Sequence, residues 1–239
     1  MWIGLVGSEM CIRDRKDWHL IRVAQSIVVP LSLTCFYFSL FVLVGYFMGI
    51  EILYRPISGG PATHPLTAIC VLLIALEIRI SHRSQKSRGN TQPFLTLAII
   101  ILVANVLDVL LGTQITQYIT PFSDQVKADL LAGKSNSMGI NTSVMLLFIT
   151  SAQLCFGYKK YLNSQFLSFL AIGIPTISFT GYAYGLESFY VKMSLFSSTL
   201  GFALGLASLA MTSHIEPMRA MLSPYSGGRV ARLQTIVGY

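Results

Sequence analysis

"PLTAICVLLIALEIRISHRSQKSRGNTQPFLTLAIIILVANVLDVLL", residues 65–111, holds two apolar runs joined by a short basic link. A helix needs roughly 20 mostly apolar residues to cross about 30 Å of hydrocarbon. The runs at about 65–80 and 93–111 are of that order. The same rhythm extends outward in both directions. Stretches at about 27–50, 140–158, 166–184 and 193–213 have the same character. The 65–80 stretch is the weakest, because Glu77 and Arg79 interrupt its end.

Composition agrees with the pattern. Hydrophobic residues make up 53% of the chain, charged residues 11%, and mean hydropathy is +0.63. Soluble domains carry roughly 25% charged residues. The expected fold is therefore all-α: a polytopic integral membrane bundle of six helices with the start of a seventh. Polar connections are too short to hold a soluble domain.

Basic residues in short loops set the orientation. Arg79, Arg83, Lys86 and Arg88 share one loop, Lys159 and Lys160 another, with Lys16 and Arg22 before the first helix and Arg219, Arg229 and Arg232 after the sixth. The opposite side carries only Arg55, Lys127, Lys134 and Lys192. Both flanks are expected to be cytoplasmic, and the net charge of +7 reads as topology. Nucleic acid is not an expected partner, since the charges are scattered over separate loops rather than gathered on one face.

Four regions follow. Residues 1–15 contain "LVGSEMCIRDR", which matches the conceptual translation of a transposon-type sequencing adapter, so native sequence is expected from near Lys16. Residues 16–26 form a cytoplasmic flank and 27–213 the bundle. Residues 214–239 form a juxtamembrane segment, whose closing "LQTIVGY" reads as the opening of a further helix.

Helices two, four and six open alike. "PLTAICVLLIAL", "INTSVMLLFITS" and "LFSSTLGFALGL" each place small or hydroxyl residues before an apolar run, either a parallel repeat of one hairpin per unit or the small-residue opening of many membrane helices. Glycines recur four apart at Gly45 and Gly49, Gly181 and Gly185, and Gly201 and Gly205. That spacing lets helices approach closely, so these are expected packing faces, with a homodimer contact as the alternative use.

Ionisable groups inside a membrane are costly and mark functional candidates. Asp108 lies in the outer half of the third helix, near Asn105, where it can line a polar cavity open to the outside. The alternative is a carboxylate satisfied by a polar neighbour at the interface. With Asn141 and Glu187, it completes the expected ligand-sensing set. Nucleophile, phosphate-loop and zinc-protease patterns are absent from the sequence. The four histidines form no short ligand motif, so no catalytic residue, metal or cofactor is expected.

The phrases "GGPATHPLTAICVLLIAL", "MGINTSVMLLFITSAQL", "TGYAYGLESFYVKMSL" and "LSPYSGGRVARL" together resemble a bacterial membrane sensory region, one that precedes PAS, histidine-kinase or diguanylate-cyclase modules. The resemblance implies a receptor or anchor in the bacterial cytoplasmic membrane. It implies no catalytic residues in this chain. The implied partners are the lipid bilayer, a small-molecule or membrane-property signal, and an output module that this sequence lacks. A small transporter or channel is the alternative.

Overall fold

Apolar side chains of this length and density fold as helices in lipid, because only intrahelical bonds satisfy the backbone there. The computed structural model describes residues 19–57, 59–83, 92–190, 192–223 and a few positions beyond; the side chains of Gln92 and Glu187 are not among them. The described residues are helical with no strand. The adapter-like stretch and most of the expected seventh helix lie outside them.

The long helices are α1 (Val28–Met48), α2 (Pro65–Arg83), α3 (Gln92–Leu111), α4 (Ile140–Gly157), α5 (Tyr161–Tyr184) and α6 (Leu195–Met211). Five have the length and apolarity to cross a membrane, and α6 is shorter at 17 residues. The flank expected at 16–26 is helical from residue 19 and runs into α1, giving a 30-residue helix, His19–Met48. The fifth helix begins earlier than its apolar run. Ser164 and Gln165 are buried there, and the Gln165 Nε2 donates to the carbonyls of Thr212 and Ile215, 3.2 Å each. Polar residues continue that helix because the bundle, not water, satisfies them.

The helices form two layers about one axis. In the α1 and α3 spans 28% of residues are buried, against 61% in α2 and 50% in α4. Helices α2, α4 and α6 touch one another at the centre. Each odd helix lies between two of them: α1 between α2 and α6, α3 between α2 and α4, α5 between α4 and α6. The result is a closed ring of three hairpins. Ile74, Met145 and Leu204, one from each central helix, are fully buried in a single cluster. Phe47, Ile100 and Leu110 of the outer helices are mostly exposed. Such a broad apolar exterior suits lipid and not water.

Lipid is as apolar as these side chains, so close packing and interhelical hydrogen bonds hold the bundle. Gln153 on α4 donates to Ser208 Oγ on α6 at 2.8 Å, and that hydroxyl lies 2.7 Å from Ser168 Oγ on α5. Each such bond contributes about 0.6–2 kcal/mol.

The three glycine pairs divide into different uses. Gly201 and Gly205 are interhelical contacts, facing Met145 of α4 and Ile172 of α5. Gly45 and Gly181 face the turn that follows their own helix; a Cβ there would lie 2.6 Å from the Cβ of Leu53 or Phe189. Gly49 and Gly185 depart from the packing-face expectation. They end α1 and α5 in the left-handed region, φ 70° and 67°, with open space where a side chain would be. Ile50 N–H then bonds Gly45 O at 2.9 Å, and Leu186 N–H bonds Gly181 O at 2.8 Å, as in a Schellman motif.

These ends are copies of one another. "GYFMGIEILY" (45–54) and "GYAYGLESFY" (181–190) share Gly, Tyr, Gly, Glu and the closing Tyr at the same offsets. In both, the two tyrosines stack with ring centroids 4.1 Å apart. Helix α3 ends the same way at Gly112, φ 69°, but Asp108 stands where the other two have Gly45 and Gly181.

Candidate functional site: a cavity at the distal end

That exchange opens a space. At α1 and α5 the glycine lets the following turn fold down onto the helix. At α3 a carboxylate occupies the position, and the chain instead runs through a long connection, 112–139. This connection forms two short helices, Ile115–Ile119 and Ser123–Leu131, the second ending on Leu130 and Leu131. Beneath it lies a cavity of about 420 Å³, at the end opposite the basic connections. Small-molecule sites span roughly 300–1,000 Å³.

Asp108 and Asn141, expected as sensing residues, both line this cavity. Glu187 opens a short helix, Glu187–Tyr190, and its side chain lies outside the described residues. The Asp108 carboxylate is saturated. Its Oδ1 accepts from Thr113 Oγ1 at 2.5 Å and Ile115 N at 2.9 Å; its Oδ2 accepts from Thr116 N and Thr116 Oγ1, both at 2.6 Å. These donors include the first N–H groups of the short helix, so Asp108 acts as a distant N-cap that anchors the roof. Asn105, one turn below, donates to Ser143 Oγ at 2.7 Å and fastens α3 to α4.

Other lining groups are less committed. The Asn141 side chain has no hydrogen-bond partner among the described residues. Lys127 and Lys192 line the cavity, and neither forms an ion pair or hydrogen bond among the described residues. His64 is 7% exposed and precedes Pro65, the first residue of α2. Pro suits that first position, which makes His64 the N-cap. Its Nδ1 accepts from Leu66 N at 3.3 Å, so the neutral ring carries its proton on Nε2. Burial pushes the His64 pKa down to about 4, which keeps the ring neutral.

A buried arginine ties the roof to the rest. Arg55 donates from Nη1 to Gly60 O (2.5 Å) and Ser135 O (3.2 Å), and from Nη2 to Asp129 Oδ2 (2.9 Å). Its Nε lies 2.9 Å from Glu51 Oε1 without hydrogen-bond alignment. Asn136 donates to the same Asp129 oxygen at 2.8 Å. The Tyr46 hydroxyl lies 3.0 Å from both Asn136 Oδ1 and Thr63 O and can donate to either. Hydrogen bonds from Lys134, then the charges of Lys134 and Arg55, hold the Glu51 carboxyl below its usual range. Sequence reasoning counted Arg55 only as a loop charge. Nearly complete burial makes it the clamp of the distal end.

Comparison of the chain with protein families, curated proteins and solved structures gave no match. The site is read from its own chemistry.

Proposed function

We propose that this chain is the membrane-embedded sensory region of a bacterial signal-transduction protein. In this reading α6 is a sixth span, both flanks are cytoplasmic, and the distal cavity faces outward in the cytoplasmic membrane. A small molecule entering the cavity shifts the 112–139 roof and the helix ends below it. The last helix passes that shift to a cytoplasmic output module of the histidine-kinase or diguanylate-cyclase kind.

One observation carries the reading: the cavity is confined to one end, with uncommitted polar groups at its wall and a packed apolar centre deeper in. A transporter also suits a parallel hairpin repeat. It would place its polar or charged site near the midplane, where Ile74, Met145 and Leu204 fill this bundle. A ligand must also favour one state. Moving a two-state element from 1:99 to 99:1 takes about 5.5 kcal/mol of differential affinity.

Two measurements test the proposal. Ser137→Cys should be labelled by an impermeant maleimide on intact cells, and Arg88→Cys should not; the reverse pattern overturns the orientation. Sequencing downstream of Tyr239 should find an in-frame PAS, kinase or cyclase region. A stop codon after one further helix would favour transport instead.

A further inference from the structure

We propose that the distal cavity binds a small oxyanion, a carboxylate or a phosphate, held by Lys127, Lys192, the Nε2–H of His64 and the amide of Asn141. The inference rests on the cavity being a ligand site and is independent of what the chain signals to.

Three independent features converge on negative charge. The first is the unspent cations. Lys127 and Lys192 come from different segments, one on the roof helix Ser123–Leu131 and one just before α6, and both line the same space. Among the described residues the one carboxylate in the lining is Asp108, and four donors already take its oxygens. Two ammonium groups against one engaged carboxylate leave the lining, among the described residues, with a net positive charge. A carboxylate or phosphate meeting an ammonium gains charge-assisted bonds, roughly twice as strong as neutral ones.

The second feature is the donor at the wall. His64 is nine-tenths buried, yet its Nε2–H has no protein acceptor among the described residues. Because Nδ1 is engaged by Leu66 N–H, the ring presents a donor and not an acceptor. His64 lines the cavity, so an acceptor bound there can take this proton in place of water.

The third is the start of α4. This 18-residue helix begins at Gly139 with no side-chain cap, and Gly139, Ile140 and Asn141 all line the cavity. Orphan N–H groups and the helix dipole favour an anion at such an end. Other central helices begin with their own partners: Ser194 Oγ accepts from Ser197 N, and His64 Nδ1 accepts from Leu66 N. Of the three central helices, α4 alone opens onto the cavity without such a cap among the described residues.

The oxyanion has two sources, a soluble metabolite or a lipid headgroup. The full chain, reconstituted in phosphatidylcholine nanodiscs, would be titrated with succinate, inorganic phosphate, succinamide and putrescine while thermal stability is followed. A parallel set would replace part of the lipid with phosphatidylglycerol and omit soluble anions. Succinate or phosphate should raise the midpoint, and the Lys127→Gln/Lys192→Gln double variant should weaken that binding by about tenfold or more. Stabilisation by phosphatidylglycerol alone, abolished by the same variant, assigns the headgroup as the source. Both lysines are exposed and, among the described residues, unpaired, so the variant is expected to fold; its midpoint without ligand checks this. Equal stabilisation by succinamide or putrescine overturns the anion assignment and leaves a ligand site. No shift with any probe or lipid overturns both.

Discussion

Arg55→Ala removes a guanidinium whose side chain is 1% exposed. Three hydrogen bonds and two ion pairs are lost together, the Asp129 contact being both. Truncating one partner of a buried pair costs about 3–5 kcal/mol, because the other charge is left uncompensated. Here the stranded partner is Asp129, whose side chain is 14% exposed and keeps a bond from Asn136. Water and that amide soften the loss, which places the expected cost at the lower end, about 3 kcal/mol. Unfolding by a denaturing detergent in mixed micelles measures it. Amide exchange should rise in residues 129–136 and 60–63 and remain unchanged near Ile149. Arg55→Lys keeps the charge without the planar fork and should recover less than half of the stability. A loss below about 1 kcal/mol for Arg55→Ala, the value of a surface pair, would refute the clamp. So would full stability in Arg55→Lys.

Three further outcomes are expected. His64 has its pKa depressed from 6.5 to about 4, so the unfolded chain binds the extra proton first; stability is complete above 6.5 and falls by about 3 kcal/mol as pH drops to about 4. His64→Asn should flatten that slope in pH-dependent unfolding, while any loss from Glu51, whose carboxyl is held below 4.5, comes at lower pH; identical slopes in both proteins would rule it out. Gly181→Ala forces a Cβ against the Phe189 Cβ at 2.6 Å and the Leu186 carbonyl at 3.1 Å and should cost about 1–3 kcal/mol, whereas Gly201→Ala meets only the flexible end of Met145 and should be near neutral by the same unfolding assay. Asp108→Ala frees the Thr113, Ile115 and Thr116 donors and should speed amide exchange across 113–120 at least severalfold, with membrane insertion unchanged; exchange equal to wild type would remove Asp108 from the roof.

Hydropathy alone made five spans legible, because lipid selects on length and apolarity and both are written along the chain. The beginning of α5 was not, since Ser164 and Gln165 read as loop until the acceptors on 212 and 215 are known. Glycines four apart suggested packing faces, but spacing cannot tell a contact from a helix end. The tandem "GYFMGIEILY" and "GYAYGLESFY" carried that signal and could have shown it. Asp108 and Asn141 were legible as polar residues in apolar surroundings. His64 was not, although a residue just before a helix-opening proline is an N-cap position. Arg55 escaped for a plainer reason: a loop arginine counts toward topology until burial shows what it holds.

The ring also bears on chain connectivity. Helix α1 packs against α6, so the beginning and end of the bundle already meet at the basic side. No hairpin is first or last in space, only in the order of synthesis. A gene rearranged to begin at α3, with a short linker bridging the old ends, would encode the same circle of contacts, since permutation is tolerated where ends lie close together.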